Sequence, residues 1–357
     1  MPWYRFRWFR VRLGRDEDEV RTDQLTRSAD EMVWSTLADC LQYGEYVKGS
    51  KDNSWELLNY QTGITEPKAR IMTHGARPLN PVVAVARFVW LMAGNNRVED
   101  IAFYEPKVRG FSDDGLSVPG SDYGLRLVQP RPGLNQIYGV VERLREDYNT
   151  RQAAAVVWQP EDAVRQSGDI PCTFGMFFKV TSGGLNMTTI MRSNNAFRIL
   201  PFNIFEFTML QELVAAQLEI PIGDYVHWAA SMHAYDNERE TPPTKRIAES
   251  DGQVQSITMP VMPAGIRGDL DSYPLAQANF LAQYEAQMRH ACTEDELWVV
   301  WNNATARLDR YWLELLAILF HWKVAKMGLF YADHDVQLPE YWSKAVKNTI
   351  ERYIVNV

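Results

Sequence analysis

The spacing of apolar and polar positions divides the chain into three textures. Residues 1–13 alternate aromatic or aliphatic side chains with arginine, the period-two pattern of a strand with one wet face, although so cationic a stretch could instead meet an acidic surface. An acidic run, Asp16-Glu17-Asp18-Glu19, follows and reads as a solvated loop or helix start. Over residues 26–46 the period lengthens, and Met32, Leu37, Leu41 and Tyr46 fall roughly on one face of a helix. Residues 80–93 form a strongly apolar helix that Gly94-Asn95-Asn96 stops.

The middle of the chain changes to strand texture, with apolar or alternating runs at 153–158, 173–180, 185–191 and 225–235. Gly183-Gly184 between the second and third run marks a tight hairpin, and 205–218 is a long apolar helix between the later strands. These elements predict an α+β fold, a mixed main sheet with helices on one face. A polar, proline-broken segment at 238–245 marks the edge of that core. Beyond it 275–290 and 294–326 read as two amphipathic helices, the second opening on Thr293 as N-cap. Its aromatic stripe (Trp298, Trp301, Trp312, Phe320, Trp322) belongs to a core or a subunit interface and not to a cofactor box. The expected division is an N-terminal extension, 1–30, a catalytic core, 31–245, and a mainly helical C-terminal extension, 246–357.

Composition narrows the function. With 46% hydrophobic and 23% charged residues in 357, the chain can bury a large core without disulfides. Its three cysteines, Cys40, Cys172 and Cys292, form no CxxC pair, and the six histidines show no ligand spacing, so no metal site is expected. A net charge of −8 is wrong for holding a nucleic-acid polymer by its phosphates, though a mononucleotide needs only a few local arginines. No apolar run is long enough to span a bilayer and no secretory h-region is visible, so the expectation is a cytoplasmic protein.

GxSxG, Walker and GxGxxG motifs are all missing from the sequence. What stands out is Cys172, which opens a strand after Ile170-Pro171. The hairpin would return Arg192 close to it, and a cation there favours a thiolate nucleophile. Taken alone, a strand cysteine is far more often an inert core residue.

The ordered set Pro171-Cys172, Arg192-Ser193-Asn194, Leu200-Pro201-Phe202-Asn203-Ile204, Gly223-Asp224-Tyr225-Val226 and His233-Ala234-Tyr235 resembles the thymidylate synthase family in order and spacing. Upstream, Tyr148-Asn149-Thr150-Arg151 is similar to its Asp-Pro-x-Ser-Arg-Arg segment, Asp122-Tyr123-Gly124 to its active-site Tyr-Gly, and residues 88–94 to its Trp-Phe-Leu-x-Gly helix. The resemblance covers roughly residues 32–238. It implies that Cys172 adds to C6 of a pyrimidine monophosphate, making C5 nucleophilic toward the one-carbon unit of 5,10-methylenetetrahydrofolate. It further implies that Arg192 and Ser193 hold the phosphate, with Arg151 reaching in from the second subunit of a homodimer. Asn203 would pair with the base edge, His233 and Tyr235 with the sugar 3′-hydroxyl, and Tyr123 would help remove the C5 proton. Without the register, Asn203 would read as a turn residue and His233 as a core histidine.

The departures are informative. Arg87 stands where the family has a catalytic glutamate that organises water, Thr173 where it has histidine after the cysteine, and Gln152 in place of the second paired arginine. Asn195, counted among the substrate-binding candidates, replaces an aspartate that serves the pterin. The family's N-terminal phosphate arginine aligns near Gln61, with Lys68 or Arg70 as substitutes. Kept nucleotide positions and altered folate and water positions imply C5 hydroxymethylation, in which water and not hydride captures the one-carbon group. The substrate would be dUMP, with dCMP or CMP as alternatives. Plain thymidylate synthesis, or an inactive relative that binds a nucleotide or a partner protein, are the competing readings.

Overall fold

A computed structural model describes residues 24–49, 52–252, 256–329 and 336–355. The arginine-alternating stretch 1–13 and the acidic run lie outside the described residues. The strands are β1 (Gln24–Thr26), β2 (Glu45–Val47), β3 (Asn53–Ile64), β4 (Ala154–Val156), β5 (Thr173–Thr181), β6 (Gly184–Met191), β7 (Asn194–Asn195) and β8 (Ile222–Asp236). They form one mixed sheet in the order β1-β3-β8-β6-β5-β4, with β2 added to β3 and β7 to β8. The helices are α1 (Ala29–Tyr43), α2 (Pro81–Ala93), α3 (Val98–Ala102), α4 (Tyr123–Val128), α5 (Gln136–Glu146), α6 (Leu200–Gln217), α7 (Thr241–Ala248), α8 (Pro274–His290), α9 (Glu294–Thr305), α10 (Arg310–Lys326) and α11 (Ser343–Val355). None among the described residues is long and apolar enough to cross a membrane.

Strands β5 and β6 form the expected hairpin, turning at Ser182-Gly183. Gly184 opens β6 at φ 119°, a conformation closed to other residues. Strand β6 then runs parallel to β8, and parallel neighbours need a crossover. That crossover is α6, buried along its length between the sheet and the other helices. Two of its polar side chains, Gln211 and Glu212, are anchored individually. Gln211 donates to the carbonyls of Leu185, Gly223 and Asp224 at 2.8–3.1 Å. Glu212 pairs with the fully buried Arg70 at 2.5 Å and accepts the Met262 N–H at 3.0 Å.

Helix α2 begins and ends as its sequence implies. Asn80 caps it by accepting from Val83 N–H at 3.2 Å, and Gly94 closes it in the left-handed conformation at φ 61°. Helices α8 and α10 pack on α2, so the buried apolar cluster runs from Ala29 to Ile350.

Two readings change. Residues 294–326 are two helices and not one, since the chain turns at 306–309. There Gln277 accepts the Asp309 N–H at 2.8 Å and donates to the Arg307 carbonyl at 3.0 Å. The capping box at Thr293 is present. Helix α7 occupies the segment read as a proline-broken edge, since Pro242 sits in its first turn, where no N–H is needed. The long strand β3 carries no clean alternation, because Asn59 at φ 55° interrupts its pairing with β8 between Leu58 and Tyr60.

Removing one partner from the buried Arg70–Glu212 pair leaves an uncompensated charge. Glu212→Ala should lower unfolding stability by about 3–5 kcal/mol in denaturant titration.

Candidate active site

The β5–β6 register, Thr173 opposite Met191, places Arg192 beside Cys172. The Arg192 N–H donates to the Cys172 carbonyl at 2.8 Å, and its guanidinium donates to the carbonyls of Pro171 at 2.8 Å and Ile170 at 3.0 Å. Arg192 thus clamps the turn that presents the cysteine while remaining exposed. Cys172 is half-buried, whereas Cys40 is buried and Cys292 exposed. Burial raises the Cys172 thiol above its ordinary pKa; the Arg192 charge opposes this and Asp169 adds to it. Cation and thiol are adjacent as expected, but desolvation wins.

Asp169 joins this turn to the next element. Its carboxylate accepts from Gly120 N–H at 2.7 Å, Ser121 N–H at 3.0 Å and the Ser121 hydroxyl. Asp122 then caps α4 by accepting from Leu125 N–H at 2.8 Å, which sets Tyr123 at the helix start. Gly124 is required because a Cβ there would lie 2.3 Å from the Leu91 carbonyl oxygen of α2. The Tyr123 ring stacks on Phe207 of α6 at 6.2 Å, within electrostatic reach of Cys172.

Asn203 lies in the first turn of α6, 2% exposed. Its Oδ1 accepts from Asn194 Nδ2 at 2.7 Å, and Asn194 Nδ2 also lies 3.4 Å from His227 Nε2. The other His227 nitrogen, Nδ1, meets the Tyr225 hydroxyl at 2.8 Å. Burial lowers the His227 pKa to about 3, so the ring is neutral and carries one proton. With that proton on Nδ1, Nε2 accepts from Asn194, Asn194 donates to Asn203, and Asn203 keeps its amide N–H groups for a ligand. Moving the proton to Nε2 would reverse both amides and offer the carbonyl instead; the buried Asn194 Oδ1, unpartnered among the described residues, marks where that reversal would act.

The remaining candidates divide. Ser193 Oγ lies 3.5 Å from His233 Nδ1, and the His233 and Tyr235 rings are 4.9 Å apart, so these three adjoin. Burial lowers the His233 pKa, against the pull of Glu56. Asn195 is buried and turned inward, accepting from Arg198 N–H and donating to Glu240 at 3.2 Å. Arg151 is exposed before β4 and enters none of these contacts, while the neighbouring Gln152 accepts from Arg143 at 3.0 Å. Arg70, suggested as a phosphate arginine, is committed to Glu212 and has no exposed surface.

Arg87 is not loose in the site. It pairs with Glu105 at 2.7 Å and lies over the Phe202 ring at 5.0 Å, with Arg77 over the same ring at 5.2 Å. Single-residue reading missed Arg77, Asn194, His227 and Glu206; the last was visible in principle, three residues after Asn203 and so on the same helix face.

A profile of the family described as thymidylate synthase matches residues 71–260, more than half of the chain. The chain belongs to the thymidylate synthase family. Its similarity to curated members is distant. It is 31% identical over 178 residues to the deoxyuridylate hydroxymethyltransferase of Pseudomonas phage M6, covering 49% of this chain and 50% of that one. It is 26% identical over 294 residues to the protein of the same name from Bacillus phage SP01, covering 75% of each. A putative thymidylate synthase of Methanocaldococcus jannaschii is 34% identical over 106 residues, 29% of this chain and 48% of that one. The chain thus spans about half the length of the M6 relative.

Because burial outweighs Arg192, alkylation of Cys172 by iodoacetamide should still be rising above pH 9. Arg192→Ala should slow it at pH 8 and move the midpoint higher, and Asp169→Asn should move it lower, read by mass spectrometry of the labelled peptide.

Proposed function

We propose that this thymidylate-synthase-family chain transfers a one-carbon unit to C5 of a pyrimidine nucleoside monophosphate and releases a 5-hydroxymethyl product, with dUMP as the favoured substrate. The observation that carries the reading is the half-buried Cys172 thiol, with Arg192 clamping its turn and Tyr123 within electrostatic reach of it. The names of the phage relatives agree with it.

Cys172 supplies the thiolate that adds to C6, since C5 has no nucleophilic character until that bond forms. Arg192 has guanidinium N–H groups beyond those given to Pro171 and Ile170, and with Ser193 it binds the phosphate. His233 and Tyr235 bind the sugar, and Tyr123 takes part in proton movement at C5. The start of α6 fits the proposed donor, 5,10-methylenetetrahydrofolate. Arg77 and Arg87 lie over the buried Phe202 ring and place two cations there, complementary to the carboxylate tail of that donor. When bound, the folate supplies the electrophilic carbon.

Uracil is preferred over cytosine because uracil meets Asn203 with an acceptor at C4 and a donor at N3. In the relay with His227 protonated on Nδ1, the Asn203 amide N–H faces the ligand and its Oδ1 retains a second lone pair for N3–H. An unpaired buried group costs about 1–3 kcal/mol, roughly ten- to a hundredfold in preference.

The homodimer forms through the sheet face opposite α6. Strands β6 and β8 bury Leu185, Met187, Tyr225 and Ala229 beneath the helices and leave Thr188, Ile190, Val226 and Trp228 partly exposed on the other face. Together with the half-exposed Phe177 of β5, these side chains make an apolar surface suited to a second copy, from which Arg151 would reach the phosphate.

Incubating the protein with methylenetetrahydrofolate and, separately, dUMP, dCMP, UMP and CMP should give a hydroxymethyl mass gain on dUMP that Cys172→Ala abolishes. A methyl gain would instead identify thymidylate synthesis, and no gain on any nucleotide would sink the proposal. Asn203→Asp should move turnover from dUMP toward dCMP by roughly tenfold or more. Sedimentation at low micromolar concentration should show a two-fold assembly, and Trp228→Asp should shift it toward monomer; an active monomer would remove the role given to Arg151.

A further inference from the structure

Of the buried carboxylates among the described residues, Glu206 alone accepts no hydrogen bond. Asp30, Asp100, Asp122, Asp162, Asp169, Glu212, Glu240 and Glu285 each have a donor. Burying a carboxylate without a partner is costly, so such a group usually marks something other than packing. Glu206 lies on α6 one turn beyond Asn203, beside Phe207, on which Tyr123 stacks. Tyr123 feels the charges of both Cys172 and Glu206, so the phenol lies within electrostatic reach of the thiol and of the carboxyl.

The charged and titratable groups facing it come from three other elements: Arg87 of α2 with its partner Glu105, Tyr123 of α4 and Tyr225 of β8. Burial raises the Glu206 pKa to about 7, with Arg87 pulling it down and Glu105 pushing it up. Near neutrality such a group can take a proton and return it.

We propose that Glu206 is the base that deprotonates the water captured in hydroxymethylation, and that the Arg87–Glu105 pair is its positioning partner. The inference rests on the function proposed above and assigns a residue to its last step. In that step the water oxygen bonds to the exocyclic carbon on C5 and its proton passes to the Glu206 carboxylate. The electron pair of the exocyclic double bond shifts to form C5=C6, the C6–S bond breaks, and Cys172 leaves as thiolate. The carboxylate that this chemistry needs thus arrives from α6, while the α2 position carries the arginine that orients it.

The test compares wild type, Glu206→Gln, and the double variant Arg87→Glu/Glu206→Gln, which returns a carboxylate to α2. Hydroxymethyl product, dUMP affinity by calorimetry and the pH dependence of turnover are read for each. Glu206→Gln should lower product formation on the order of a hundredfold or more, leave dUMP affinity within about threefold, and abolish a rate limb near pH 7. It should not lower the melting temperature at pH 8, because no ion pair or hydrogen bond is lost. The double variant should regain at least tenfold over Glu206→Gln. A wild type that makes product while Glu206→Gln matches it in rate and pH profile overturns the role of Glu206 alone. A wild type that makes none overturns the underlying function and this step with it.

Discussion

A helix buried on every side has to find a partner for each polar group it carries, and α6 is the helix on which this site depends. The parallel pairing of β6 and β8 forces a crossover, and the crossover lies under the sheet. Gln211 answers three carbonyls and Glu212 answers Arg70, both toward the C-terminal half. Toward the N-terminal half the accounting is left open, with Asn203 held by one donor and Glu206 by none. Gln211 and Glu212 anchor the helix toward one end, and toward the other, where the proposed substrate would bind, Glu206 accepts no hydrogen bond.

The thiol shows the same competition between desolvation and charge. Arg192 stands where it would favour a thiolate, but it spends two hydrogen bonds on the backbone before Cys172, and burial outweighs its field. Under the proposed function, a nucleotide phosphate drawn to Arg192 would weaken that field further, and activation of the thiol would fall to proton movement within the assembled site. Tyr123, tied to the cysteine turn through Asp169 and the loop before α4, is placed for such coupling.

Arg87 gains a meaning different from simple loss. A half-buried arginine needs a counter-charge, which Glu105 provides, while the Phe202 ring gives its guanidinium a cation–π contact. Arg87 is thus held by the surrounding structure and is not loose in the site.

Much of this was legible in the chain. Period-two runs located β5, β6 and β8, Gly94 and Thr293 located helix ends, and the Cys172, Arg192, Asn203 and His233 motifs pointed to the family. These signals are local or ordered along the sequence, so a single chain displays them. β3 escaped because its pairing is interrupted at Asn59, and the break at 306–309 escaped because a side chain 30 residues away, Gln277, satisfies its backbone. Only the tertiary structure decided that Asn195 faces inward, that Arg70 is sealed against Glu212, and that Glu206 is buried without a hydrogen-bond donor. Each depends on which groups meet across long sequence separations and on how much water they lose, and no spacing along the chain encodes that.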